Sequence, residues 1–107
     1  MPKYMIEAAY SPDGLKGVIA KGGSSRRTAI EAMAESLGGS VDALYFAFGD
    51  SDIFVVIDMP DNVSTAAVMM TVSASGALSN AKTTVLLTPE DVDEAAKKSV
   101  DYSPPGS

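Results

Sequence analysis

The sequence predicts an α+β fold in which helices pack on a four-stranded antiparallel sheet. Three observations support this prediction. The chain has 107 residues, of which 46% are hydrophobic, a size that suits one core. Four segments carry the alternating or continuous apolar pattern of strands, and helix-start signatures separate them. We therefore expect residues 1–107 to form a single domain, with residues 101–107 as an extended tail.

The chain is expected to open with a strand and a short helix. In Lys3–Tyr10, apolar residues alternate between two faces, which predicts a strand. Ser11 as N-cap and Pro12 at the first helical position then predict a helix. The pair Gly22-Gly23 is expected to end this helix.

A second helical segment is expected to follow directly. Ser24 or Ser25 is available as its N-cap, and Gly38-Gly39 is expected to stop it. Its apolar stripe has the spacing i, i+3, i+4 and i+7, which is typical of a helix packed on a core. The stripe consists of Ile30, Met33, Ala34 and Leu37.

Two neighbouring strands are predicted next, joined by the turn 49–52. The first, Val41–Phe48, is apolar on both faces, and the second is the unbroken apolar run Ile53–Ile57, typical of a strand covered on both sides. In the first of these strands we expect one face to hold Leu44, Phe46 and Phe48, and the other to hold Val41, Ala43, Tyr45 and Ala47.

The last third is predicted to form helix, strand and helix. Asp61 or Asn62 is expected to cap the first helix. A strand is expected from about Ala81 to Leu87, and Thr88 followed by Pro89 is the clearest helix start in the chain. The first of these helices is expected to bury a face of small residues formed by Val63, Ala66, Ala67, Met70 and Ala74.

This order of elements fits the ferredoxin-like βαββαβ arrangement, here with an appended C-terminal helix. Its helices cover one sheet face, whereas the predicted hairpin strands are apolar on both. We expect the uncovered face, around Phe46, Phe48, Phe54 and Val56, to pair two or more copies of the chain. The alternative is a monomer whose last helix or tail folds over that face.

A turn and the residues after the following strand resemble the signature of the GYD domain family. Members typically show Gly, an acid, Tyr and Asp in this hairpin, then a Pro-Asp pair after the strand. Gly49 and Asp52 match the hairpin, and Pro60 with Asp61 matches the pair, while Ser51 stands where the family usually has its Tyr.

The resemblance covers nearly the whole chain. It continues through residues 3–7, 22–27, 37–39 and 82–84. It implies a small protein similar to the dimeric α/β-barrel group of ferredoxin-like domains, and it carries no activity or catalytic residue over to this sequence.

The composition excludes several classes of chemistry. The chain has no Cys and no His, which removes disulfides, thiolate and imidazole metal ligands, and triads built on imidazole. The net charge of −6 repels nucleic acid and anionic membrane surfaces. We expect no cofactor, no nucleic-acid or membrane partner, and a soluble, cytoplasmic protein, because no signal sequence or membrane-spanning run is visible.

The most suggestive group of residues is Ser24-Ser25-Arg26-Arg27. It places the only two arginines of an acidic chain beside two hydroxyls where a helix begins, and helix-start N–H groups attract anions. Capping serines and surface ion pairs are the alternative explanation. Because Arg27 precedes Glu31 by four residues, it is expected to pair with that acid, which leaves Arg26 as the better ligand contact.

A second group combines tyrosines and an acid. Tyr4, Tyr10 and Tyr45 are candidates for lining a cavity, with Glu7 as a carboxylate base, although packing at a core edge or interface is the simpler explanation for the tyrosines. Asp50 and Asp52 are best explained as turn residues, so we expect no metal site.

Three functions follow from these residues. The first is binding of a small anionic or partly apolar ligand between the sheet and the first helix, near Arg26 and Arg27. The second is a cofactor-independent enzyme of oxygenase or isomerase type that uses Tyr or a carboxylate. The third is an assembly module without a small ligand. The surroundings of Glu7 are expected to distinguish the first two.

Overall fold

A computed structural model describes residues 1–107 and confirms the predicted ferredoxin-like α+β fold. The strands are β1 (Lys3–Tyr10), β2 (Ser40–Phe46), β3 (Ile53–Asp58) and β4 (Leu78–Leu86). They form one antiparallel sheet in the order β2-β3-β1-β4. No helix combines the length and apolarity that a membrane span requires. The helices are α1 (Pro12–Lys21), α2 (Gly23–Glu35), α3 (Asn62–Ala74) and α4 (Pro89–Ala96).

The two central strands give the sheet its buried face. β1 pairs with β3 on one side and β4 on the other, with Ile6 opposite both Val55 and Thr83. Because side chains alternate along a strand, every second residue of β1 and β3 points toward the helices. These residues are Tyr4, Ile6, Ala8 and Tyr10 of β1 and Ile53, Val55 and Ile57 of β3; Ile6 and Tyr10 are half-buried, and the others are buried.

α2 packs on this face through the predicted stripe. Ile30 and Ala34 are buried, while Leu37 lies beyond the end of the helix and is partly exposed. The predicted serine cap is wrong, because the N-cap position is Gly22 and no side chain caps the helix. The serines instead follow Gly23 inside the first turn of α2.

β2 differs from its prediction at both ends. A bulge between Val41 and Ala43 shifts the register, so Val41 lies on the helix side with Leu44 rather than with Tyr45. The strand ends at Phe46, and Phe48 sits fully exposed in the following turn. Phe46 lies opposite the buried Ile53 and packs beside Gly23 of α2, so neither phenylalanine belongs to the uncovered face.

An ion-pair cluster ties the bulged edge strand to the centre of the sheet. Lys3 of β1 pairs with Asp42 at the bulge and with Asp58 of β3, whose Oδ2 lies 3.1 Å from Nζ. The hydrogen bonds to Asp42 and Asp58 raise the pKa of Lys3 above its ordinary value. The cluster therefore spans three strands at one end of the sheet.

α3 begins as predicted but buries a different face. The Asp61 carboxylate accepts the Ser64 N–H at 2.7 Å, which lowers the pKa of Asp61. The core contacts come from Thr65 and Val68, while Val63 is 78% exposed and the other residues of the predicted face are exposed too. The helix contains no charged residue, so hydrophobic periodicity could not identify its buried side.

α4 has the predicted cap but no packing partner. Thr88 and Asp91 form a complete capping box, yet every residue from 89 to 107 is exposed. The radius of gyration is 16.9 Å, whereas about 13 Å is typical of a compact chain of this length. The helix and the residues after it therefore project from the sheet domain, and residues 98–107 form no helix or strand.

The start of α1 is locked against the segment that leads into β4. Ser11 caps α1 by accepting the Gly14 N–H at 3.1 Å, and its own N–H donates to the Ala77 carbonyl at 2.9 Å. Gly14 lies so close to this segment that a Cβ would stand 2.1 Å from the Ala77 oxygen. Gly17, one turn later, has open space around it.

We therefore expect opposite effects from two alanine substitutions in α1. Gly14→Ala should destabilise the fold by about 1–3 kcal/mol, because backbone must move to admit the methyl group. Gly17→Ala should stabilise it by up to ~1 kcal/mol, because alanine is the better helix former. Thermal and urea unfolding of both variants measure the difference. Equal effects would contradict the close approach of α1 to Ala77.

Candidate functional site

A small cavity lies on the helix side of the sheet, beneath α2 and α3. We call it the inner cavity, and its volume is about 60 Å³. Thirteen of its fourteen lining residues are hydrophobic, and the fourteenth is Arg26. The lining comes from β1, β3, α2, α3 and β4, with Ile6, Ile30 and Val72 among its walls. The core is therefore not completely filled by the side chains around it.

A polar groove between α1 and α2 adjoins the inner cavity. This outer groove has a volume of about 390 Å³. Tyr10 and Arg26 line both spaces, so they mark the junction between them. The charged residues of the groove are Asp13, Lys21 and Arg26, which give it a net positive charge in a chain whose net charge is −6.

Arg26 has no acidic partner. None of the five ion pairs involves it, and its Nε is buried without a hydrogen-bond partner. A buried donor left unpaired costs free energy, and such groups usually find a partner in a ligand, an ion or water. Arg27 differs: its Nε lies 3.9 Å from Glu31, the pairing expected from its spacing.

The structure divides the four predicted residues at the start of α2. Ser25 lines the outer groove with Arg26. Ser24 and Arg27 instead border a separate shallow depression at the sheet edge, beside Tyr45. Successive residues on a helix point in different directions, so four consecutive side chains could not converge on one site.

Glu7 and Tyr45 lie on the other side of the sheet. We call that surface the open face; its central row runs from Tyr45 through Phe54 and Glu7 to Lys82. The Glu7 carboxylate lies 3.6 Å from the Lys82 ammonium, and Tyr45 is 73% exposed. Because Glu7 alternates with Ile6 and Ala8, which line the cavity, its side chain points away from it.

Two charged residues of the outer groove were not identified as site residues from the sequence. Asp13 and Lys21 are the first-turn acid and the last-turn base of α1, positions that suit the helix dipole and gave no reason to expect a shared site. The break between α1 and α2 was the available signal, because it brings the last turn of α1 beside Ser25 and Arg26.

The turn before β3 holds the junction residue Tyr10 in place. The Asp52 carboxylate accepts the Tyr10 backbone N–H at 2.8 Å, and the Asp52 N–H donates to the Ala8 carbonyl at 2.8 Å. Asp52 is thereby engaged as a turn residue that fixes the end of β1. No three metal-ligating side chains come together in the structure.

Comparison with known proteins identifies the family. The family model described as GYD domain matches residues 4–96, so this chain belongs to that family. The matched segment contains β2 to β4, α1 to α4 and all of β1 except Lys3, together with both hairpin residues of the motif, Gly49 and Asp52. A search of curated proteins found no match to this chain.

The unpaired guanidinium leads to a prediction about the ligand-free protein. Arg26→Met should leave its stability unchanged or raise it, because an apolar chain of similar length replaces a buried donor without a partner. The matched variant Arg27→Met should cost about 0.3–0.5 kcal/mol through loss of the Glu31 pair. Urea unfolding measures both. A large loss in Arg26→Met would mean that the guanidinium already has a stabilising partner.

Proposed function

We propose that this protein binds a small anionic molecule with an apolar part, at the junction of the outer groove and the inner cavity. One observation carries the proposal: the buried Nε of Arg26 has no partner, although it belongs to the only charged side chain that lines the cavity. A guanidinium is always protonated in proteins and offers directed donors to an anion. The apolar walls provide for the rest of the ligand.

The charges around the site support an anionic head group. Lys21 stands in the same groove as Arg26, and Asp13 is the single acid that lines it. Elsewhere the acids of the chain outnumber its bases and repel anions. An anionic ligand is therefore attracted electrostatically to the groove, whereas the rest of the chain repels it.

The position of Glu7 favours binding over catalysis. The enzyme hypothesis uses a tyrosine or a carboxylate, with Tyr4, Tyr10 and Tyr45 as candidate phenols and Glu7 as the internal base. The side chains of Glu7 and Tyr45 belong to the open face, where Glu7 pairs with Lys82. A general base must come within hydrogen-bond reach of the proton it removes. Neither residue borders the cavity or the groove that would receive the ligand.

The ligand proposal predicts that Arg26 governs the response to anions. Thermal unfolding of the wild type should shift to higher temperature as small carboxylates are added, in proportion to the logarithm of their concentration once the site is saturated. Arg26→Met should lose this shift, since it loses the charged donor. Arg27→Met is the matched control, because it removes the same charge from the neighbouring position outside the site.

An equal shift in wild type and Arg26→Met would contradict the proposal, since the anion would then bind elsewhere. Loss of the shift in both variants would indicate a general effect of positive charge on α2. Sodium chloride at matched ionic strength separates specific binding from screening.

The open face supports a second proposal, that two copies of the chain pair through it. Phe54, Val56 and Met5 lie on this face, only half-buried, and no helix of the same chain covers them. Apolar side chains grouped on one sheet face are typical of an interface. A two-fold pair of sheets would bury the same patch on both copies.

Val56→Lys should therefore dissociate the pair, because it places a charge at the centre of the face. Phe48→Lys is the control, since Phe48 is exposed in the turn and lies outside the sheet. Analytical ultracentrifugation at micromolar concentration measures the mass of both. A wild-type protein that sediments only as an 11.0 kDa species would contradict pairing.

A further inference from the structure

We infer, on the basis of the proposed binding function, that the ligand is a monocarboxylate with a short alkyl tail. Its carboxylate binds the Arg26 guanidinium at the junction, and its tail enters the inner cavity. The inference combines two features of one place: a cavity whose walls are otherwise apolar and a single buried cationic donor at its border.

The walls of the inner cavity specify an apolar tail. Apart from the Arg26 guanidinium and the Tyr10 hydroxyl at the junction, its lining side chains are apolar, so a hydroxyl or amine further along the tail would find no hydrogen-bond partner. The volume of about 60 Å³ is well below the ~150 Å³ of an engineered cavity that binds benzene. Aromatic rings are therefore too large, and an alkyl group of roughly two to four carbons fits.

The donors at the junction specify a carboxylate rather than a phosphate. A carboxylate is planar and singly charged, and its two oxygens match the fork of one guanidinium. A phosphate brings more oxygens and about twice the charge. Asp13 in the outer groove offsets one of the two cations there, which leaves a net charge of about one to balance.

The position of Arg26 links head to tail. Its side chain borders both spaces, and its Nε, the atom nearest the aliphatic part of the side chain, is the one that is buried. Because Nε is buried in the ligand-free protein, the side chain must turn toward the cavity entrance to donate to a carboxylate, and the carbon attached to the carboxyl group is then directed inward. Tyr10 borders the same junction and contacts the first carbons of the tail.

The test is a series of straight-chain carboxylates from acetate to octanoate, measured by calorimetric titration and thermal shift. Binding should tighten about four-fold for each added methylene, which corresponds to ~0.8 kcal/mol per buried CH₂. The gain should stop once the tail fills the cavity, at roughly two to four carbons beyond the carboxyl group. Inorganic phosphate should bind more weakly than butyrate.

Two variants should change, in opposite directions, the tail length at which binding stops tightening; we call this tail length the end point. Ala8→Val adds two methyl groups to the cavity wall and should stop the gain at a shorter tail. Val72→Ala enlarges the cavity and should extend the gain to a longer tail. Val63→Ala is the matched control for the second: the same substitution in the same helix, at an exposed position, should leave the series unchanged.

Each outcome decides between the two levels of the inference. If all the carboxylates bind equally and only through Arg26, the tail does not enter the cavity; the inference fails and the proposed anion site stands. Tighter binding of phosphate than of any carboxylate would overturn the ligand class alone. If no anion binds through Arg26, the proposed function fails as well. An end point that Ala8→Val and Val72→Ala both leave in place would overturn the assignment of the tail to this cavity.

Discussion

The geometry of the candidate site depends on one backbone conformation, that of Gly22. Its φ of 86° and ψ of 165° lie in a region that is essentially accessible only to glycine. Gly22 interrupts what would otherwise be one continuous helix and so separates α1 from α2. The two helices therefore meet at an angle and enclose the outer groove, while α2 alone lies over the buried sheet face. A continuous helix would place Lys21 and Arg26 on one rod, with no groove between them.

Local signals explain which parts of the fold the sequence predicted correctly. The capping box at Thr88, the cap at Asp61 and the apolar run of β3 each depend on residues adjacent in the chain. The errors arise where a distant contact decides. The bulge near Asp42 moves the Val41 side chain to the opposite face of the sheet from the one that alternation predicts. Because α3 has no charged residue, its buried face is determined by how it packs on the sheet and not by a pattern in its sequence.

The candidate site shows the same division. Spacing alone distinguished Arg26 from Arg27, because an acid four residues downstream was available to only one of them. The alternation of side chains along β1 correctly predicted that Glu7 faces away from Ile6 and Ala8. The inner cavity could not be predicted, since an unfilled volume reflects how five separate elements pack together. Such a volume has no signature in any one segment.

The opposite faces of one sheet separate the two surfaces of this protein. β1 supplies Ile6 and Ala8 to the inner cavity and Met5 and Glu7 to the open face, in strict alternation. A substitution on one face therefore leaves the side chains of the other in place, although both share a backbone. α4 belongs to neither surface of its own chain, because all of its residues are exposed. The proposed pairing and the proposed ligand binding therefore use different side chains of the same strands, so coupling between them requires a shift of the shared backbone or contacts that a second copy supplies.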